Sequence, residues 1–244
     1  MYSLLRGPMR RFLDRHGKRL RDKVNRYIAR YSVLGNPQTF DPALFSWTRA
    51  FEENWELIRD EMERLLPYKD EIPPLADISP DHVELDESRK WRTFFLWGYG
   101  YRVDENCVKA PRTAAMVERI PNLLSALFSI HEPGTHLPRH TGPTKGMITC
   151  HLALKIPPNK EKCRIEVEDR SYNWTPGRFF IFDDTYNHEV WNDTDEIRVI
   201  LLIHVRRPLA APGRWIQNAI FWALRHSPFV QDVKDNLRIL QGHA

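Results

Sequence analysis

Five of the chain's ten histidines, His131, His136, His140, His151 and His188, fall in one window of the sequence. Neutral imidazole is a good ligand for Fe(II) and related divalent metals. A histidine in a β-rich stretch is also commonly a hydrogen-bonded structural residue, so number alone settles nothing. Position adds more. His140 stands in a Pro- and Gly-containing loop, Pro138-Arg139-His140-Thr141-Gly142-Pro143-Thr144, and His188 follows Phe182-Asp183-Asp184-Thr185-Tyr186-Asn187. Beyond it, Arg198 sits near the start of an apolar run. An arginine aimed into an apolar interior must be paired or bear a large desolvation cost. One partner is a dicarboxylate ligand, which a planar guanidinium grips in two places. The other is Asp183, Asp184 or Glu189, and residue chemistry alone does not choose between them.

These residues need a scaffold. From Trp91 the chain reads as repeated short strands at residues 93–103, 123–130, 147–156, 163–167, 178–182 and 197–205, separated by Pro, Gly, Asn and Asp clusters. That pattern predicts a sandwich or barrel. The last strand is apolar on both faces, so it is expected at the centre of its sheet. Parity within residues 147–156 puts Thr149 and His151 on one face and Cys150 and Leu152 on the other.

Helices are predicted on either side. Residues 10–31 space Leu13, Leu20, Val24, Tyr27, Ile28 and Tyr31 near helical intervals among basic residues. A second helix is expected from Asp41-Pro42 to about Leu66, since aspartate caps and proline suits the first turn. Residues 67–90 read as a surface loop, and a short helix is expected near residues 113–119. After Pro212-Gly213 comes an apolar helix with Trp215 and Trp222. It is expected to pack on the core or lie at a membrane interface, which suits Trp flanked by Arg214 and Arg225. The division expected is a helical region at 1–66 with a basic amphipathic arm, a β core at 91–208 and a helical extension at 209–244.

The 244 residues carry a net charge of +4, but residues 1–31 hold ten Lys or Arg against Asp14 and Asp22, leaving the remainder close to neutral. A basic arm meets anions or is simply solvated. No aromatic-rich basic strand accompanies it, so an anionic membrane surface is the better expectation and nucleic acid is not expected. Three cysteines without a CxxC pair fit a reducing compartment. No apolar run is long enough to span a bilayer, and the N-terminus is too charged for a signal core. A cytoplasmic protein, peripheral to a membrane, is the expectation.

The strings "SIHEPGTHLPRHTGPT", "HLALKIP" and "FDDTYNHEVWNDTDEIR", in that order, closely resemble the aspartyl/asparaginyl β-hydroxylase family of 2-oxoglutarate dioxygenases, over roughly residues 91–208. The resemblance implies a mainly β fold with flanking helices around a double-stranded β-helix (jelly-roll, cupin-like) core. It implies an enzyme that uses Fe(II), O₂ and 2-oxoglutarate to hydroxylate an unactivated C–H bond. It implies that His140 and His188 are catalytic and bind the metal. Arg198 would hold the distal carboxylate of 2-oxoglutarate with Ser129 as hydroxyl helper, and His151 would donate to the other carboxylate. Members that the chain resembles act on lipid acyl chains or on Asp and Asn side chains, so a small-molecule, lipid or peptide substrate is expected.

Two positions stand out against that pattern. The carboxylate usual two residues after the first histidine of a two-His-one-carboxylate site is Gly142 here, in agreement with the animal members of the family. The family arginine two residues before "HLAL" is Thr149 here, which removes a cation from the 1-carboxylate end of the co-substrate. Thr149 keeps a rival in view: a non-catalytic barrel with a basic membrane-binding arm.

Overall fold

The structure, a computed structural model, describes residues 8–227 apart from 80–82, 84 and 99, together with residues 230 and 231; side chains are described from residue 19 onward. The arm's cations before that point, Arg6 to Lys18, lie outside the described side chains, as does Leu13.

Helix α1 (Pro8–Arg30) leads into a two-residue strand, β1 (Thr39–Phe40), then α2 (Thr48–Glu53), α3 (Trp55–Glu63) and α4 (Leu75–Ile78). Strands β2 (Trp91–Gly98) and β3 (Tyr101–Arg102) precede α5 (Asp104–Lys109) and α6 (Pro111–Val117). Eight strands follow: β4 (Leu123–His131), β5 (Thr135–His140), β6 (Met147–Lys155), β7 (Cys163–Val167), β8 (Arg170–Tyr172), β9 (Phe179–Phe182), β10 (His188–Asn192) and β11 (Arg198–Arg206). Helix α7 (Gly213–Arg225) follows them.

The strands form a seven-stranded sheet, ordered β1-β9-β6-β11-β4-β2-β3, and a four-stranded sheet, ordered β5-β10-β7-β8. From β4 onward, the first, third, sixth and eighth strands lie in one sheet and the second, fourth, fifth and seventh in the other. Their pairings are antiparallel. This alternation of one chain between two facing sheets is the double-stranded β-helix.

Two apolar layers result. One, with Ile165, Val167, Val190, Ile200 and Leu202, fills the space between the sheets. The other, with Phe128, Cys150, Leu152, Leu201 and Ile203, lies outside the large sheet under Phe51, Ile58 and Met62 of α2 and α3. Strand β11 is central and contributes to both, which is why its run is apolar at consecutive positions. All three cysteines are buried and free.

Several sequence expectations need correction. The helix predicted from 41 to 66 is broken into a 3₁₀ turn at Pro42–Leu44 and the two helices α2 and α3. Residues 67–90 are no plain surface loop: α4 lies within them, and Ile72, Leu75, Ala76 and Ile78 are buried. His140 ends a strand rather than standing in a loop, and β5, β8 and β10 are additional to the strands predicted. The second half of α1 is no free arm. Ile28 is fully buried, Ser32 bridges Leu209, and Tyr31 packs so closely on Gly213 of α7 that a Cβ there would sit 2.5 Å from it. No helix among the described residues is long and apolar enough to cross a membrane.

Candidate active site

His140 and His188 are directly opposite partners in the β5–β10 ladder, and their ring centroids lie 4.0 Å apart. A bulge makes this arrangement. Between His188 and Val190 strand β10 advances two residues, while β5 advances three, from His140 to Leu137. The extra residue in β5 switches its side-chain parity. Leu137 and His140, an odd number apart, can therefore both face the interior.

Each ring is held by its own backbone. His140 Nδ1 lies 2.7 Å from the carbonyl oxygen of Pro138, and His188 Nδ1 lies 3.0 Å from that of Tyr186. A carbonyl only accepts, so Nδ1 carries the proton in both rings. That leaves the two Nε2 lone pairs for a metal, the tautomer control usual for histidine ligands. Burial, and then the neighbouring His140, push the His188 pKa down to about 3; burial also lowers that of His140. Both rings are neutral at physiological pH. Among the described residues no group of three His, Cys, Asp or Glu side chains could hold a metal. What the side chains fit is a metal that would be held by these two histidines.

Gly142 has a structural reason. A Cβ at that position would fall 2.3 Å from Cγ and Oδ1 of Asp184 and 2.4 Å from Oδ2. The Asp184 carboxylate fills the space that a side chain at 142 would need. Gly142 N donates to the Asp184 carbonyl at 2.6 Å, which joins the two loops. Thr149 Oγ1 donates to Asp184 Oδ2 at 3.1 Å, and Oδ1 is buried with no partner. Burial, then the charge of Asp183, raise the Asp184 pKa to about 7. An arginine at 149 would supply a compensating charge there; threonine supplies only a hydroxyl. From the sequence, Asp184 stands out as no more than a partner for Arg198, and the glycine beside it in space carries no sequence signal of that contact.

Asp183 has a different task. It is fully buried and accepts from Lys145 Nζ at 2.7 Å, from Thr185 Oγ1 at 2.5 Å and from Arg207 Nη2. It ties the loop before His188 to the loop after His140. Lys145 is thereby committed to an ion pair with Asp183.

Arg198 is 1% exposed and lies opposite His131 on β4. Its Nε and Nη2 have no hydrogen-bond partner, and neither has His131 Nδ1. No ion pair joins Arg198 to Asp183, Asp184 or Glu189: Asp183 is taken by Lys145 and Arg207, and Glu189 by His136. The guanidinium carbon lies 4.0 Å from the Trp174 ring centroid, and burial lowers the arginine pKa to about 10. A buried cation without an anion is costly unless a ligand supplies one.

Two further residues share this interior. Ser129 pairs with Ile200, two positions from Arg198 along the same ladder, and its Oγ accepts from Trp91 Nε1 at 2.9 Å. Its own hydroxyl proton remains to be donated. The indole of Trp174 donates to His151 Nδ1 at 3.3 Å. An indole cannot accept, so His151 carries its proton on Nε2 and offers an N–H. Phe182 stands between the two ends, its ring centroid 5.2 Å from both His151 and His188. His136, the remaining histidine of the window, lies on the outer face, stacked on Trp191 with Nε2 2.7 Å from Glu189.

The fold and site thus define a double-stranded β-helix enzyme whose barrel carries a pair of free imidazole nitrogens and an unmatched guanidinium. Residues 52–208 match the aspartyl/asparaginyl β-hydroxylase family, and the chain belongs to it. It is a hydroxylase, and dependence on Fe(II) and 2-oxoglutarate is typical of its family. The ornithine lipid ester-linked acyl 2-hydroxylase of Rhizobium tropici is 40% identical over 207 residues, which is 85% of this chain and 74% of that protein. The aspartyl/asparaginyl beta-hydroxylase of Homo sapiens is 37% identical over 169 residues, 67% of this chain, but the match spans only 21% of the human protein. Among solved structures, a Pseudomonas putida prolyl-4-hydroxylase aligns with a TM-score of 0.39 and 15% identity, covering 63% of this chain and 88% of that one.

Proposed function

We propose that the chain is an Fe(II)- and 2-oxoglutarate-dependent hydroxylase acting on the acyl chain of a membrane lipid. His140 and His188 would hold the iron through Nε2. Arg198 would take the distal carboxylate of 2-oxoglutarate, with Ser129 donating beside it and His151 donating Nε2–H toward the other carboxylate. Bound iron supplies the activation of O₂ that an unactivated C–H bond requires.

One observation carries the proposal: a fully buried arginine with two unpartnered nitrogens, in the same barrel as two imidazoles with free Nε2 atoms. The residues present fit these groups: Arg198 is buried with unpartnered nitrogens, and the backbone bonds to Nδ1 leave both Nε2 lone pairs as donors to a metal. The protein's own contribution is then positional and electrostatic. The backbone carbonyls of Pro138 and Tyr186 fix the imidazole tautomers, Trp174 fixes that of His151, and Asp184 Oδ1 is an acceptor left over beside Gly142. The apolar layer around Ile165, Val190 and Ile200 excludes water from the buried end.

The choice of a lipid rests on two supports. The Rhizobium tropici relative is named for an ester-linked acyl group, and it is matched over most of both chains. Helices α1 and α7 also pack together, and Leu20, Trp215 and Trp222 on them, with Val33 in the turn after α1, are all more than 60% exposed. Tryptophan and leucine among exposed arginines suit a membrane interface. To test the function, purified protein is supplied with Fe(II), 2-oxoglutarate, ¹⁸O₂ and a total lipid extract. The expected result is an acyl chain that gains one ¹⁸O atom with equimolar succinate. In a parallel reaction with a mixture of Asp- and Asn-containing peptides, oxidised peptide with untouched lipid would reassign the substrate, and no succinate in either reaction would favour a binding barrel.

A further inference from the structure

The mouth of the barrel is walled by a helix that the family match does not include. Arg21, Asp22 and Asn25 of α1 face Arg139, His140 and Gly142 across a cleft of about 430 Å³. The helix is fixed there. Asn25 Oδ1 accepts from Lys145 N at 2.9 Å, Val33 N donates to Pro208 O at 3.1 Å, and Ala210 N donates to Tyr31 O at 2.9 Å. A wall pinned at these points belongs to the site beneath it.

The cleft is polar and its cations are under-used. Arg21 Nε is buried with no hydrogen-bond partner, and Asp22 Oδ1 lies 3.7 Å from it. Arg139, next to His140 in the chain, has only a long 3.5 Å contact to Glu168. No large apolar side chain lines the space, which Thr185 and Asn187 also border. An acyl chain would find no apolar trough there, whereas a polar head would find two guanidinium groups.

We propose that this cleft binds the anionic head of an amphiphilic substrate, a phosphate or carboxylate held between Arg21 and Arg139. The carbon presented to the His140–His188 pair then lies next to the head, and the apolar tail runs outward toward exposed Leu20. The inference deepens the proposed function and rests on it for what lies on the cleft floor, but anion binding itself needs neither iron nor 2-oxoglutarate.

The test uses the full chain and two single-chain probes below their micellar concentrations, decyl phosphate and uncharged decyl maltoside. Calorimetry is expected to show decyl phosphate binding about ten-fold more tightly or better, and Arg21→Gln and Arg139→Gln each erasing most of that preference. Arg26→Gln with Arg30→Gln removes two exposed α1 charges outside the cleft and is expected to change affinity by no more than about two-fold. Equal binding of the two probes, or equal loss in that control, would overturn the cleft. Inorganic phosphate competing as strongly as decyl phosphate would overturn the assignment to a lipid head in favour of a free anion. Thermal melting of each variant verifies folding, and Arg21→Lys, with its charge but no fork, is expected to be intermediate. Binding of 2-oxoglutarate to the iron-loaded wild type is measured separately, so its failure would remove the iron-site assignment while leaving the cleft result standing.

Discussion

Alanine at position 142 would drive a methyl group into a carboxylate. The added Cβ would lie 2.3 Å from Asp184 Cγ and Oδ1, more than 1 Å inside ordinary contact. Asp184 has little room to yield. It is buried, its Oδ2 is bonded to Thr149, and its carbonyl accepts from Gly142 N at 2.6 Å, so backbone and side chain are both held. Overpacking of this kind costs about 1–3 kcal/mol. For a domain of this size that is a fall of roughly 3–10 °C in melting temperature. The assay is urea unfolding of the metal-free protein, run as a double-mutant cycle with Asp184→Ala. Removing the carboxylate makes room for the methyl, so Gly142→Ala with Asp184→Ala should be no less stable than Asp184→Ala alone. If Gly142→Ala unfolds within about 0.5 kcal/mol of wild type, or if the two losses simply add, Asp184 does not fill that space.

Other expectations follow from the same interior. The Asp184 pKa of about 7 stands above the ordinary 3.8, so the folded protein keeps a proton the unfolded chain has lost, and this group's stabilising contribution fades as pH rises toward and through 7. The stability of Asp184→Asn relative to wild type should therefore climb between about pH 4 and pH 7 and then level; a flat difference would contradict the raised pKa. Arg198→Met removes an unpaired buried charge and should leave the metal-free protein at least as stable as wild type. It should also lose the stabilisation by 2-oxoglutarate, about 2.7 kcal/mol at a hundred-fold excess over Kd, which differential scanning calorimetry reads directly. Trp174→Phe deletes the donor that fixes the His151 tautomer, and calorimetry should show a several-fold loss of 2-oxoglutarate affinity with little change in iron binding. Trp215→Ala with Trp222→Ala should reduce pelleting with anionic vesicles, and unchanged pelleting would remove the membrane face.

Strand content was legible where strands are apolar and regular. The β4, β6 and β11 segments announce themselves by length and by runs buried on both faces. Strands β5 and β10 do not, because Pro138, Arg139 and the paired histidines break the alternation that marks a strand. The same bulge that hides β5 from pattern reading is what turns His140 inward. Of the site, His140, His188, Arg198, Ser129 and His151 were reachable only through ordered resemblance over a long stretch. Their spacing alone left Arg198 open between a ligand and an internal acid, and only the fold shows that Arg198 is buried with no ion pair to Asp183, Asp184 or Glu189. Asp184 behind Gly142, Trp174 behind His151 and Arg21 over the cleft are long-range contacts, and nothing local in the sequence encodes them.

The most direct test of the two-histidine centre is anaerobic titration of the protein with Fe(II) and 2-oxoglutarate, followed by visible absorption. Chelation of a protein-held iron by the keto acid should give a metal-to-ligand charge-transfer band. The band should be absent in His140→Ala and His188→Ala and should require far more 2-oxoglutarate in Arg198→Ala. No band in the wild type, or an undiminished band in either histidine variant, would contradict the placement of the iron between these two rings.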